Sequence, residues 1–360
     1  MNKHLIDRAY RSRTFAKGLT LIELMIALTL GLIIIGGVTG IIISTGQSNR
    51  TNQALGEMQE SARIAFELLS RDIRQAGGHP CGNDIEVVNI LNNAQDSNTP
   101  WQVDWGTPVQ GYGPNDSITG VNNRIADTDA LSLVSGASSG IYVKEYTDTN
   151  QGANFRVGWP ATLQGHGFQP GEILFVCNQI QGTIFQMTGP SGQNPAADLI
   201  VVNTGNSNSP GNCTKGLGPI IPGNNPNQPC DTNGNHGPYS QNAVIANINS
   251  HVWYVGDNQR ANEGGRSLYR VRLGRSAENA ALIEEEIVAG VVDMQLRYRA
   301  DNSDQFVAAS NTTPWNSINA VEVTLTLRSQ MPNVSTNPAV NNGRLERNFT
   351  QIVSLRNRTL

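Results

Sequence analysis

Proline is absent from the first 79 residues of this 360-residue chain, and no charge falls between Leu24 and Ile43. The first absence removes the strongest helix breaker. The second leaves an uncharged run whose 20 residues match what crosses a hydrocarbon core of about 30 Å. Charge is scarce elsewhere too: 15% of residues are charged, with 29 acids to 25 bases. Residues 1–18 hold Lys3, Arg8, Arg11, Arg13 and Lys17 against Asp7 alone, a net of +4 that leaves −8 for the remainder. An acid surplus repels phosphate, so nucleic acid is not an expected partner. Arg328, Arg344, Arg347, Arg356 and Arg358 against Glu346 give the C-terminal end a net of +4. Charge alone supports reading them as a solvated tail rather than a binding patch.

Cysteine is also sparse. Cys81, Cys177, Cys213 and Cys230 are the four, and none forms a CxxC pair, which argues against zinc. The histidines His4, His79, His166, His236 and His251 do not pair at metal-ligand spacing, and no cofactor is expected. An even cysteine count outside the cytoplasm points to two disulfides, for which four cysteines allow three connectivities. Cys213 and Cys230 flank one Gly/Pro/Asn-rich loop and are the natural local pair; Cys81 with Cys177 follows by elimination.

Catalytic signals are poor, and no enzymatic activity is expected. "GASSG", Gly136–Gly140, fits the G-x-S-x-G pattern around Ser138. That motif needs a strand before it and a helix after it. "IYVKEY" follows and reads as a strand, so a turn is the expectation. Asp231, Asn233 and Asn235 resemble the start of a calcium loop, but His236 takes the glycine position and Asn242 that of the bidentate glutamate. No metal site is assigned there, nor at the short acidic run Asp301–Asp304.

Helical character continues past the apolar run. Leu55, Met58, Ala62, Ala65, Leu69 and Ile73 recur at spacings of three and four, opposite Gln53, Glu57, Glu60, Glu67 and Arg71. Gly77-Gly78 before Pro80 is a stop signal. A helix from Leu19 to Gln75 would be about 85 Å long at 1.5 Å per residue. Its first half, about 19–43, would be lipid-soluble and its second packed on a folded domain. Gly31, Gly36, Gly37 and Gly40 in the apolar half suit close helix approach and ordinary transmembrane usage alike. After Pro80 the pattern turns to short strands: 130–135, 173–177, 199–202, 251–255 and 268–273. Residues 291–299 and 319–329 alternate apolar and polar, as half-buried antiparallel strands do. Residues 203–242 form a loop long enough to demand a function or a staple. The fold class is α+β: a long N-terminal helix packed on a C-terminal antiparallel β-sheet domain.

The odd residue is Glu23, a carboxylate at the edge of a bilayer-length helix, which is costly unless something answers it. An ordinary secretory signal has a shorter apolar core and is cut after it. A plain anchor gives Gly18 and Glu23 no role. "KGLTLIELMIALTLG" resembles the N-terminus of type IV pilins and pseudopilins. The resemblance implies a leader, 1–18, that a prepilin peptidase removes between Gly18 and Leu19, and N-methylation of Leu19. It also implies that Glu23 answers the free amine of a neighbouring subunit in the filament. Leu19 stands where the family usually has Phe or Met.

"HVWYVGDNQ…SLYRVRL", "IVAGVVDMQLRYRADN", "WNSINAVEVTLTLRS" and "FTQIVSLRNR" follow the order seen in PilW-type minor pilins. The chain then divides into the leader, a helix at 19–78 and a periplasmic or extracellular head at 79–360. That family implies a subunit placed at or near the pilus tip that primes assembly. Its partners would be the peptidase, other minor and major pilins and a tip adhesin. The basic leader places the N-terminus in the cytoplasm and the head across the bacterial inner membrane, and later on the pilus surface. Two alternatives stand beside it: a type II secretion pseudopilin of the J kind, and a membrane-anchored periplasmic enzyme or binding protein.

Overall fold

Helix α1 (Leu21–Gln75) runs 55 residues without a break, as the lack of proline allows. The computed structural model describes residues 18–82, 85–92, 94, 99–149, 152–190, 197–204, 208–220, 222–225, 228–301, 303–310, 312–335 and 341–356. The leader up to Lys17, Arg358, Asn302 of the Asp301–Asp304 run and parts of the 203–242 loop lie outside them. Two compact units divide the chain, Met1–Gln53 and Ala54–Leu360. In the first, α1 is long and apolar enough to cross a membrane by length and composition, and its Leu and Ile side chains are exposed. In the second, α1 shows the expected stripe: Met58, Ala62, Ala65, Leu69 and Ile73 are buried and Leu55 is half-buried. Glu57, Glu60, Glu67 and Arg71 face outward.

The helix stops at Gly77, whose left-handed φ of 73° is the usual exit conformation. Its freed end is clamped by a strand. Gly77 N–H donates to Val134 O at 2.8 Å, and Gly136 N–H donates to Gly78 O at 2.7 Å.

The strands are β1 (Glu86–Asn89), β2 (Val109–Tyr112), β3 (Ala130–Thr149), β4 (Gly152–Gly158), β5 (Ile173–Cys177), β6 (Gln181–Gln186) and β7 (Leu199–Val202). Then come β8 (Pro222–Asn225), β9 (Gln228–Cys230), β10 (Val244–Asp257), β11 (Arg266–Ser276), β12 (Asn279–Ala289), β13 (Val291–Ala300), β14 (Ile318–Arg328) and β15 (Glu346–Ser354). The large sheet runs β1-β6-β5-β10-β3-β4-β7, with β11 on β10, β12 on β11 and β2 on β3. The small sheet is β13-β14-β15, and β8 pairs β9. Pairing is antiparallel between these strands except at β1 and β6, which run parallel.

One apolar core joins the α1 stripe to Met294, Leu296, Val323 and Leu325 of the small sheet and to Leu131, Trp253 and Leu268 of the large one. A second, around Phe155, Phe185 and Val176, lies within the large sheet. The stripe contains one acid. Asp72 is 9% exposed, and its Oδ2 accepts from Trp253 Nε1 at 3.0 Å. His251 Nδ1 lies 3.2 Å away and Arg270 Nη1 3.5 Å away. Arg270 also pairs with Glu285 at 2.8 Å, and its guanidinium lies 5.5 Å from the Trp253 ring centroid.

The long 203–242 loop is stapled. Cys213 is bonded to Cys230 and Cys81 to Cys177, with Cα separations of 5.8 and 6.0 Å. Asn212 and Gln186 hold it further: Gln186 N–H donates to Asn212 Oδ1 at 2.7 Å, and Asn212 Nδ2 donates back to Gln186 O at 2.8 Å. The tail reading needs correcting for two arginines. Arg344 is buried and donates to the carbonyls of Ser329, Gln330, Ala261 and Asn262. Arg328 pairs with Glu346 at 2.6 Å. Both sit in the framework of the small sheet, because carbonyls and a carboxylate converge on them there.

Asp72→Ala leaves the Trp253 N–H and part of the Arg270 charge unanswered in the core, and should destabilise the head by about 2–3 kcal/mol. Asp72→Asn, which keeps an acceptor, should cost less. Denaturant melts of the full chain in detergent measure both. Burial holds the His251 imidazole below its ordinary pKa, against the opposing pull of Asp72; Arg270 and Arg272 lower it and Glu285 raises it. The unfolded chain takes up a proton near about pH 6.5 that the folded chain resists, so this contribution is lost as pH falls below that value. The melting midpoint should therefore drop between about pH 7 and pH 5.5, and His251→Phe should flatten the slope. His79 and His166, lowered by burial in the same way, should supply what slope remains.

Candidate functional site

The residues that begin α1 form a closed local structure. Thr20 precedes the helix, and its carbonyl accepts from Leu24 N–H at 3.1 Å. The Thr20 hydroxyl accepts from Glu23 N–H at 3.3 Å, while Glu23 Oε2 accepts from the Thr20 amide and the Thr20 hydroxyl, each at 3.0 Å. This is a capping box, in which the third helical residue reaches back to the cap. The Thr-x-x-Glu spacing that encodes it stands in the sequence. Glu23 thus has a function within its own chain: it satisfies an amide that the helix start leaves open. Glu23 Oε1 accepts no hydrogen bond among the described residues.

Gly18 and Leu19 precede the helix and are exposed, Leu19 to 78%. Such a position leaves the bond between them open to an approaching enzyme. Downstream, a Cβ placed on Gly31, Gly36, Gly37 or Gly40 would meet nothing within 4 Å. Nothing described within the chain requires these glycines.

The other candidates fall into structural roles. Gly136–Gly140 is neither a turn nor a strand-to-helix elbow. It lies inside β3, opposite β10, where the register shifts between Ala246↔Ser138 and Ile245↔Ile141. A bulge accommodates the small residues, and Gly140 takes a φ of 80° there. Ser138 Oγ accepts from Gly140 N–H at 3.1 Å. Asp231 Oδ1 accepts from the amides of Asn233 and Gly234 at 2.8 and 3.1 Å, and Asn235 Nδ2 donates to Pro219 O at 2.9 Å. That carboxylate oxygen closes a turn. Among the described residues no group of three His, Cys, Asp or Glu could hold a metal ion. Asp72 was missed altogether. Its signal was an acid three residues after Leu69, on the face that the stripe buries.

Residues 252–357 match the family model described as Type IV Pilus-assembly protein W, and residues 13–39 match the prokaryotic N-terminal methylation motif. The first match runs from the later half of β10 through β15; the second covers Gly18, Leu19, the capping box and the start of α1. No match was found among curated proteins. The methylation motif lies on the capped apolar start of α1, and the pilus-assembly match lies on the strands that bury its later stripe; over these segments the chain is similar to PilW-type, type IV pilin-like proteins.

Proposed function

We propose that this chain is a minor pilin of a type IV pilus, cut by a prepilin peptidase between Gly18 and Leu19, methylated at Leu19 and incorporated near the tip, where it primes assembly. It is a structural subunit and catalyses nothing. Its partners are other minor and major pilins and a tip adhesin. Before assembly the apolar half of α1 anchors it in the inner membrane, with the N-terminus cytoplasmic and the head periplasmic, as the basic leader favours. The observation that carries this reading is the exposed Gly18-Leu19 pair followed at once by Thr20 and Glu23 capping an apolar helix. The pilus-assembly match supports the pilus over a secretion pseudopilin.

The capping box bears on how Glu23 serves assembly. Oε2 holds Thr20, so Oε1 is available to the amine of a neighbour's Leu19. A buried amine without its partner would cost several kcal/mol, so the pair selects register even where its net stabilisation is small. The glycines of the apolar half, which no described contact requires, would let neighbouring helices approach closely.

Mass spectrometry of the mature chain should find Leu19 first and one methyl group added; Gly18→Val should leave a membrane-bound precursor absent from sheared pili. A mature chain beginning beyond Ile43, or an intact Met1, would remove this reading.

The capping box also separates two roles of Glu23. Glu23→Gln keeps an acceptor for Thr20 but loses the charge, so membrane levels should hold while the amount in sheared filaments falls by about tenfold or more. Thr20→Ala weakens the cap by about 1 kcal/mol and should leave incorporation within about twofold. Immunoblots of membranes and sheared filaments compare them. Full incorporation of Glu23→Gln would show that the charge is not used.

A further inference from the structure

The segment "QGYGPNDS", 110–117, ends β2 and turns sharply. Gly113 N–H donates to Asp116 Oδ2 at 2.8 Å, and Asp116 N–H donates to Gly113 O at 3.2 Å. Arg124 braces the turn from behind. Its guanidinium donates to the carbonyls of Asp116 and Gly113, both at 2.6 Å, and to that of Thr128. This guanidinium is thereby turned onto backbone oxygens. Facing the loop are Ser310 and Trp315. Ser310 N–H donates to Thr313 Oγ1 at 3.0 Å, and Trp315 N–H donates to Thr313 O at 2.9 Å. The Trp315 indole stands edge-on to Tyr298, with ring centroids 4.9 Å apart and planes at 82°.

Between the loop and these residues is a cleft of about 580 Å³, lined among others by Gln110, Tyr112, Asn115, Asp116, Ser310 and Trp315. That volume is within the range of small-molecule sites. Its floor includes Gly111, where a Cβ would fall 2.2 Å from the Tyr298 hydroxyl. Tyr298 is fully buried, and its hydroxyl has no hydrogen-bond partner among the described residues. Gly111 thus lines the cleft beside a buried phenol that has no partner among the described residues.

The lining selects a chemistry. Among the described residues Asp116 is its one charged side chain and no Lys, Arg or His lines it, so none of them recruits an anion. Tyr112 and Gln110 bond to each other and Ser310 to Thr313, but the Asn115 amide, the Ser117 hydroxyl and Asp116 Oδ1 would be left unmatched by a purely apolar ligand. Tyr112 and Trp315, both half-buried, add aromatic rings to this mainly polar lining. A pyranose presents both complements, a face of C–H groups and adjacent hydroxyls. We propose that the cleft between the Gly113–Ser117 loop and Trp315 binds a neutral saccharide, which gives the head a recognition function separate from its role in assembly.

The test uses the full chain in a phosphocholine detergent, which carries no sugar headgroup. It is titrated by calorimetry and tryptophan fluorescence with maltotriose, cellotriose, chitotriose and N-acetyllactosamine, and with sialyllactose as the anionic comparator. At least one neutral sugar should bind with a dissociation constant between about 1 μM and 1 mM, and sialyllactose should bind more weakly. Asn115→Ala and Asp116→Ala, on an exposed loop, should each weaken binding by about fivefold or more, and Trp315→Ala by about tenfold or more. Trp315→Phe, which retains a ring, should recover part of the loss. No heat or fluorescence change with any neutral sugar up to about 10 mM would overturn the proposal. So would tighter binding of sialyllactose, or unchanged affinity in both loop variants, which serve as the decisive pair if Trp315→Ala fails to fold.

Discussion

Burial of one stripe on α1 is the interaction on which the head is organised. Ala62, Ala65, Leu69 and Ile73 meet the apolar sides of both sheets, so the helix is a shared wall rather than an attachment. Small residues at 62 and 65 bring the backbone close to the sheets, and large ones at 69 and 73 fill the space between them. Asp72 within that stripe is the exception that specifies position. Trp253 donates to its carboxylate from β10, and Arg270 of β11 approaches it. A hydrophobic stripe tolerates small shifts; a buried carboxylate with named donors does not. The apolar side chains supply stabilisation, and the acid supplies register.

At the other end of α1 the logic is inverted. There the apolar side chains are exposed and the carboxylate is tied to its own chain through Thr20. Glu23 and Asp72 are the two acids of the helix whose positions matter most. Each accepts hydrogen bonds from neighbours that the sequence places at fixed distance, one three residues away and one on a strand far along the chain.

What could be read from the sequence followed the periodicities. The α1 stripe, β5, β7, β13 and β14 declare themselves because their burial alternates at the helical or strand period, or because a short apolar run is bounded by turn residues. β3 did not. Its apolar start gives way to Gly136–Gly140, whose composition signals a turn locally, yet pairing with β10 carries the strand through as a bulge. β6, "QGTIFQ", is buried throughout although it opens with Gln and Gly; only its position between β1 and β5 explains that. Arg344 looked like tail charge because carbonyls that converge from two separate segments, 261–262 and 329–330, leave no local mark. At the candidate site, Glu23 stood out by its cost in an apolar run. Its capping role was equally legible in the spacing of Thr20 and Glu23.

The join between helix and head has a mechanical consequence. Six residues after α1 ends at Gln75, Cys81 is bonded to Cys177 at the end of β5, across a sequence separation of 96. A pull along the helix axis would first load the buried stripe in shear, many contacts at once, and then the hydrogen bonds that tie Gly77 and Gly78 to Val134 and Gly136 of β3. Beyond these the tension passes through a covalent bond into the middle of the large sheet and bypasses the whole segment between the two cysteines. That segment, which includes the loop at 113–117, would keep its shape under a load that had already begun to peel the helix from the core.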